Sequence, residues 1–268
     1  MERKIQSSLR ILYLGDLVGR PAREAIVANL DGIRRTHGID VVVANGENAT
    51  SGAGITRAHA ELLHHAGVDA ITLGDHVWDR TGFDVDIDGL PYVCRPANLP
   101  RICPGKNFVT IENGGTKIGI CLVLGRNFMK IHASCAFEAV ENLLKNNGEN
   151  IDIFLVEVHA EATSEKIALG WNFDGKVSAI VGTHTHVQTA DERILPNGTA
   201  YITDLGMCGP HESVIGREIS PVLYSMKFGI PQRFDVATND VRLNGVVLTF
   251  DGNSKRAVKI ARFSEKIS

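Results

Sequence analysis

A pair of histidines stands at the end of an apolar segment. Residues 177–186 read VSAIVGTHTH, and burying the two imidazoles at its end costs free energy unless each finds a partner. In an extended chain, residues i and i+2 point to the same side. The spacing therefore predicts that His184 and His186 face one cavity, with Thr185 turned away. Two metal ions about 3.5–4 Å apart could each take one of these imidazoles.

Similar polar residues end four other apolar segments. They are Asp16, Glu47, Asn48, Asp75, His76 and His159. In open α/β sheets, ligands bind beyond the carboxyl ends of the strands, so we expect these side chains to converge. Carboxylates and imidazoles suit manganese, iron, zinc or magnesium. A single aspartate at a strand end is usually a turn or cap residue, and it is the joint occurrence that favours a metal site.

The elements that must position these residues are visible as apolar runs that alternate with helical periodicity. The strand candidates are 10–16, 40–48, 68–76, 117–125, 151–161, 177–186 and 198–206. The helix candidates are 21–36, 56–66, 134–147 and a segment from 163 to 173 that Thr163 or Ser164 caps. This alternation predicts an α/β protein with buried strands. Two strand candidates within 244–263 flank Asp251-Gly252, which is a hairpin signal.

Composition limits the classes of protein. The 268 residues are 44% hydrophobic and show no linker or repeat, so we predict a single domain over 1–268. The net charge of −3 does not favour nucleic acid as a partner. Five scattered cysteines form no C-x-x-C pair, which favours a reducing cytoplasm. No apolar run is long enough for a signal peptide core or a membrane span, so we expect a soluble cytoplasmic protein without a membrane partner.

Six segments carry a resemblance to a known family. They are YLGDLVGRPAR, VVVANGENATSGAGIT, TLGDHVWD, RPANLP, HAEATSEK and GTHTHVQTADERILPNGTAYITDLGMCGP. Together they resemble the YmdB-like bacterial metallophosphoesterases, a branch of the calcineurin-like superfamily. The resemblance implies a four-layer α/β/β/α sandwich of two mixed sheets. It also implies a dinuclear site with two divalent or trivalent metal ions, most often iron or manganese, and hydrolysis of 2′,3′- or 3′,5′-cyclic nucleotides or other phosphodiesters.

The same resemblance implies a role for each polar residue. The implied ligands are Asp16, Asn48 and His186 for the first ion, Asp75, His159 and His184 for the second, and Glu47 as a bridge between both. His76 matches the family's catalytic histidine, which is not a metal ligand. The alternative for His76 is that it binds the second metal ion as a third imidazole ligand.

The implied chemistry is attack on a phosphodiester by a metal-bridging hydroxide. Two cations neutralise the phosphoryl oxygens and lower the pKa of the bridging water. The leaving alkoxide needs a proton, and His76 is the expected general acid. Arg20, Arg95 and Arg126 are candidates to bind the phosphate, although each is also typical of a surface or salt-bridged arginine.

Other functions remain open at this point. The substrate could instead be a phosphomonoester or RNA, although RNA binding usually needs several clustered cations. The protein could also be a metal-binding regulatory protein whose hydrolysis is incidental. A homo-oligomer is an expectation at the level of the family.

Two positions depart from the family pattern. Asp75 stands where the family normally has asparagine. Its extra negative charge should make metal binding tighter and turnover slower than in an Asp75→Asn variant. Glu157 stands where an aspartate usually precedes the histidine by two residues. Strand alternation lets Glu157 share a face with His159 and support it, and pairing with a surface charge is the open alternative.

Overall fold

The computed structural model describes residues 8–267 of the chain, so residues 1–7 and 268 of the predicted single domain lie outside it. The strands are β1 (Leu9–Leu17), β2 (Val41–Asn45), β3 (Ala70–Thr72), β4 (Val93–Cys94), β5 (Val109–Asn113), β6 (Thr116–Leu124), β7 (Ile153–His159), β8 (Ala179–Thr183), β9 (Arg193–Ile194), β10 (Ala200–Ile202), β11 (Met207–Pro210), β12 (Val241–Phe250) and β13 (Ala257–Lys266).

The helices connect and cover these strands. They are α1 (Gly19–His37), α2 (Arg57–His65), α3 (Phe83–Asp86), α4 (Ala136–Asn147), α5 (Thr163–Asn172) and α6 (Ile219–Phe228), with 3₁₀ turns at Ile87–Gly89 and Gly148–Asn150. Within residues 8–267, no helix combines the length and the apolar character that crossing a lipid bilayer requires.

The strands form two mixed sheets. A seven-stranded sheet has the order β13-β12-β11-β1-β2-β3-β4, and a six-stranded sheet has the order β5-β6-β7-β8-β10-β9. In the first sheet β1 to β4 run parallel, and β12 and β13 are antiparallel. In the second, β6, β7, β8 and β10 run parallel between antiparallel edge strands. Parallel neighbours need crossover connections, which explains the alternating helices.

Strand alternation separates the core into layers. Along β1, Ile11 and Tyr13 point between the two sheets, where they pack with residues such as Ile120 of β6. Leu12 and Leu14 point the other way, into the layer formed by α1 and α2. The outer face of the second sheet packs against α4 and α5. The order of layers is helix, sheet, sheet, helix, which confirms the predicted four-layer α/β/β/α fold.

The predicted positions of the main strands and helices are confirmed, but the predicted bounds of several elements are wrong. The predicted strands 40–48 and 68–76 stop at Asn45 and Thr72, so the polar residues after them lie in turns. Ala162, and not Thr163 or Ser164, is the cap residue of α5. The C-terminal hairpin has a longer connection than its Asp-Gly signal indicated, because β13 begins only at Ala257.

Candidate metal centre

Four side chains from strand ends meet at one point of the fold. The ligand atoms of Glu47, Asp75, His159 and His184 all lie within 4.8 Å of one another, and we call these residues the four-residue cluster. His159 Nε2 lies 3.1 Å from Glu47 Oε1 and 3.0 Å from Asp75 Oδ1. It also lies 3.0 Å from His184 Nδ1. Carboxylate oxygens and imidazole nitrogens at this spacing form a donor set that suits a first-row transition metal.

Asn48 and His186 adjoin the four-residue cluster through Glu47. The Asn48 amide lies 3.0 Å from Glu47 Oε1 and 3.2 Å from His186 Nε2. His186 Nδ1 lies 3.0 Å from the Ile215 carbonyl and donates to it, which leaves the lone pair of Nε2 facing Asn48. Burial lowers the pKa of His186 and so favours the neutral ring that a metal ion requires.

Asp16 is a buried carboxyl group with one oxygen that its neighbours do not satisfy. Its Oδ2 accepts a hydrogen bond of 3.1 Å from the His184 backbone N–H. Its Oδ1 is buried, and no donor among residues 8–267 bonds to it. Burial raises the pKa of Asp16 to about 8, and the positive His159 ring opposes this rise only in part. Because a buried carboxylate oxygen needs a compensating partner, this position fits a bound cation.

The four-residue cluster holds a proton on His159 in the place where a cation would bind. Burial acts to raise the pKa of Asp75, but hydrogen bonds to His159 and His184 hold it well below its usual range. Burial acts to raise the pKa of Glu47, but the charge of His159 and its hydrogen bond together lower it. Burial acts to lower the pKa of His159, but the Glu47 charge and other carboxylate contacts raise it well above its ordinary value. Metal binding releases such protons, so the donor set fits a metal ion.

A tight turn with unusual backbone angles presents the two histidines. β8 ends before His184, which has φ +95°, and His186 has φ +65°. The predicted extended geometry is therefore wrong, although both histidines do line one cavity. Such conformations cost about 1–3 kcal/mol each and occur mostly at functional sites. Thr185 between them donates to Asp204 at 2.8 Å, and the buried Lys166 ammonium donates to the same carboxylate at 2.7 Å. This ion pair holds the turn.

Gly74 allows the charged side chains to approach each other. A Cβ atom at this position would overlap Glu47 Oε2 and would lie 2.5 Å from His159 Nε2. Any larger residue would push these two groups away from Asp75. The glycine of the GDH sequence is therefore required by close packing of ligand atoms.

His76 lies beside the four-residue cluster and is not a member of it. Its backbone N–H donates to Glu47 Oε2 at 3.1 Å, and its side chain is 30% exposed. Its Nδ1 lies 2.7 Å from Asp79 Oδ2, which leaves Nε2 free to serve a substrate. Sequence reasoning missed Asp79, although its spacing of three residues from His76 in GDHVWD was an available signal.

The cavity beside the cluster has a volume of about 310 Å³. Its lining includes His76, His184, His186 and Glu161, whose Oε2 lies 3.2 Å from His184 Nε2. Among its lining residues within 8–267, Arg217 is the sole arginine or lysine. Sequence reasoning missed both Glu161 and Arg217.

The arginines expected to bind phosphate lie elsewhere. Arg20 pairs with Glu24 on the exposed face of α1. Arg95 is buried and donates to the carbonyl groups of Pro96, Cys103 and Pro104. The Arg126 backbone is bonded to Glu165, and none of the three arginines lines the cavity. Glu157 is fully buried, so the alternative of a surface charge partner for it is wrong.

Comparison with known proteins identifies the family of this chain. Residues 12–263 match the family model described as YmdB-like protein. The chain belongs to the YmdB-like family. A 2′,3′-cyclic-nucleotide 2′-phosphodiesterase of Bacillus subtilis (strain 168) is 41% identical over 254 residues, which cover 95% of this chain and 96% of that protein.

Two crystal structures extend the similarity over the whole YmdB-like fold. A hypothetical protein from Thermus thermophilus has 41% sequence identity and a TM-score of 0.91, with 97% of this chain and 100% of that chain covered. A novel phosphatase from Mycoplasma pneumoniae has 35% identity and a TM-score of 0.89, with 97% and 94% covered. The resemblance read from the sequence is thus confirmed.

The structure brings all the residues with an implied role to one region of the YmdB-like fold. They are Asp16, Glu47, Asn48, Asp75, His76, His159, His184 and His186. Their roles as metal ligands or as the catalytic group stay predictions.

Metal addition to chelator-treated protein tests the site. Manganese at 100 times its Kd should stabilise the parent by about 2.7 kcal/mol, measured as a rise in Tm. Asp16→Asn removes the unpartnered carboxylate oxygen, so manganese affinity should fall by at least about tenfold. Asp31→Asn removes an exposed carboxylate of α1 and should leave affinity unchanged. Equal affinity of the Asp16→Asn variant and the parent would contradict the assignment.

Proposed function

We propose that this protein is a metal-dependent phosphodiesterase that hydrolyses cyclic nucleotides at a dinuclear centre. The observation that carries the proposal is the four-residue cluster, next to the buried and unpartnered Asp16 oxygen. The name of the Bacillus subtilis relative supports 2′,3′-cyclic nucleotides as the substrate class. The 3′,5′-cyclic forms are the second candidate within this class.

The site contains enough ligand residues to bind two ions. In this proposal Asp16, Asn48 and His186 hold one ion, Asp75, His159 and His184 hold the other, and Glu47 binds both. Iron or manganese is the proposed metal, as the family resemblance implies, and the mixed carboxylate, amide and imidazole donors are compatible with both. When bound, the ions would neutralise the phosphoryl oxygens and lower the pKa of the attacking water.

His76 is the proposed general acid. Asp79 holds the Nδ1 side of the ring, so Nε2 can give its proton to the leaving oxygen. The partly exposed ring can then regain a proton from solvent. The bond from the His76 backbone to Glu47 fixes the distance between the acid and the metal site.

A substrate panel in the presence of manganese tests the function. We expect turnover of 2′,3′-cyclic AMP and bis-p-nitrophenyl phosphate, and little turnover of p-nitrophenyl phosphate. Preference for p-nitrophenyl phosphate would indicate a phosphomonoesterase, and cleavage of an RNA oligonucleotide alone would indicate an RNA-directed enzyme. Bound metal without turnover of any substrate would favour a regulatory metal-binding protein. The net charge of −3 disfavours the RNA alternative.

Substitution of His76 tests its role as an acid. His76→Asn should keep its metal, measured by elemental analysis, and lose about 10²–10⁴-fold in kcat on 2′,3′-cyclic AMP. The loss should be smaller on bis-p-nitrophenyl phosphate, because nitrophenolate leaves without a proton. Asp79→Asn should show a weaker form of the same pattern. Full activity of the metal-loaded His76→Asn enzyme would remove His76 from the mechanism.

Arg217 is the proposed contact for the substrate phosphate. Its guanidinium donates to the carbonyl groups of Ser51 and Phe234, each at 3.1 Å, and to that of Gly52. A Cβ at Gly52 would lie 2.6 Å from the guanidinium carbon, so the glycine makes room for this contact. These bonds use three of the five N–H hydrogens of the guanidinium group and leave those of Nε and one of Nη2 for an anion.

A matched pair of arginine variants tests the contact. Arg217→Gln should lower kcat/KM on 2′,3′-cyclic AMP by about 10–100-fold, because a charge-assisted hydrogen bond is lost. Arg80 donates hydrogen bonds to the carbonyl groups of Thr50 and Ala53, in the loop that Arg217 also contacts, but it does not line the cavity. Arg80→Gln should therefore change kcat/KM little. Equal losses in both variants would indicate that Arg217 only holds the loop.

Location and assembly also stay predictions. We expect a cytoplasmic protein that forms a homo-oligomer. α6 supports self-association, because its side chains Leu223, Tyr224, Met226 and Phe228 are exposed. A cluster of exposed apolar side chains is typical of a contact surface.

A further inference from the structure

The carboxylate of Glu157 joins the two sheets beneath the four-residue cluster. Its Oε2 accepts hydrogen bonds from the hydroxyl groups of Tyr13, at 2.9 Å, and Thr72, at 2.5 Å. Its Oε1 accepts from the Asn45 amide, at 2.7 Å, and the Thr183 hydroxyl, at 2.6 Å. The partners Tyr13, Asn45 and Thr72 lie on β1, β2 and β3, and Thr183 is the last residue of β8. One buried side chain thus ties both sheets where their strands end.

The four contacts define Glu157 as an acceptor. Each carboxylate oxygen receives two hydrogen bonds, and an ionised carboxylate has no proton to donate. Burial, and then the Glu157 charge, raise the pKa of Tyr13 well above its ordinary value, so the phenol keeps the proton that it donates. Complete hydrogen bonding is the condition under which a buried charge is tolerated.

The bond to Glu157 determines what Thr183 can offer to His159. Thr183 has one hydroxyl proton, and that proton lies on the bond to Glu157. His159 Nδ1 lies 2.9 Å from the same hydroxyl oxygen. This oxygen can only accept, so Nδ1 must carry a hydrogen. In the neutral ring Nε2 is then the unprotonated nitrogen, and Nε2 is the atom that faces Asp75 and Glu47.

We infer that Glu157 and Thr183 form a hydrogen-bond relay that fixes the Nδ1–H tautomer of His159 and aims Nε2 at the metal site. The inference rests on the proposed metal-dependent function. Both are positioning residues, because they act through His159. Loss of such an outer partner typically lowers metal affinity by about 10–100-fold.

The same carboxylate also orders the backbone at Glu47. The Asn45 side chain donates to Glu157 and accepts a 3.0 Å hydrogen bond from the Glu47 N–H through its Oδ1. Glu157 therefore supports one imidazole of the cluster and one carboxylate of the cluster at once. This explains why a carboxylate is buried at this depth between two sheets.

Two threonines offer a matched experiment. Thr183 and Thr72 are both buried and both donate to Glu157, but the His159 ring is bonded to Thr183. Zinc chloride, which is diamagnetic, serves as the probe. Thr183→Val should weaken zinc binding by about 10–100-fold, whereas Thr72→Val and Thr183→Ser should stay within about threefold of the parent. Thr183→Ala repeats the test if the valine variant does not fold.

The ring proton of His159 gives a second measurement. Nitrogen-labelled protein should show a protected Nδ1–H signal for His159, assigned by its loss in His159→Gln. This proton should exchange slowly with solvent in the parent, in Thr72→Val and in Thr183→Ser, and much faster in Thr183→Val, where its acceptor is missing. Parent-like affinity and equally slow exchange in Thr183→Val would overturn the relay. A parent that binds no zinc would overturn the proposed metal site. Slower solvent exchange of the His159 Nδ1 proton in the parent than in Thr183→Val would then still support the relay, and equal exchange would overturn it.

Discussion

Compensation of buried negative charge is the constraint on which the rest of this structure depends. The chain buries several carboxylates near the carboxyl ends of its strands, and it satisfies them in different ways. Glu157 receives four hydrogen bonds from neutral groups, and Asp204 receives the Lys166 ammonium. Asp16 keeps an oxygen with no donor among residues 8–267. This unpartnered oxygen therefore identifies the place in the fold where a cation fits.

The two fully hydrogen-bonded carboxylates, Glu157 and Asp204, hold in place the segments around Asp16. Asp204 fixes the turn that carries His184 and His186 in left-handed conformations. Glu157 supports the His159 ring through Thr183 and the backbone at Glu47 through Asn45. Strained backbone persists only where its surroundings determine it fully. Rigid support of this kind keeps ligand atoms in place before any ion arrives, which lowers the free-energy cost of binding.

The residues proposed to act at this site lie at different depths. Asp16, Glu47 and His159 are buried, whereas His76 is partly exposed and Arg217 lines the open cavity. Buried groups are suited to holding ions in a fixed geometry. Exposed groups are suited to exchanging protons with solvent and to meeting an anionic substrate. In the proposed mechanism the deepest groups are therefore ligands, Asp75, His184 and His186 are partly buried ligands that adjoin the cavity, and the proposed acid His76 meets solvent.

The sequence by itself determined the α/β class, the main strands and helices, and the residues that meet at the strand ends, because apolar periodicity and strand-end chemistry are local signals. Tertiary structure alone decided the partners of those residues. Thr183 and Arg217 reach the site through contacts between distant segments. The direction of a long arginine side chain is not encoded locally, which is why the sequence could offer Arg20, Arg95 and Arg126 only as candidates, and none of them lines the cavity. The turn at His184 likewise departs from an extended strand because the buried Lys166–Asp204 pair, far away in sequence, holds it there.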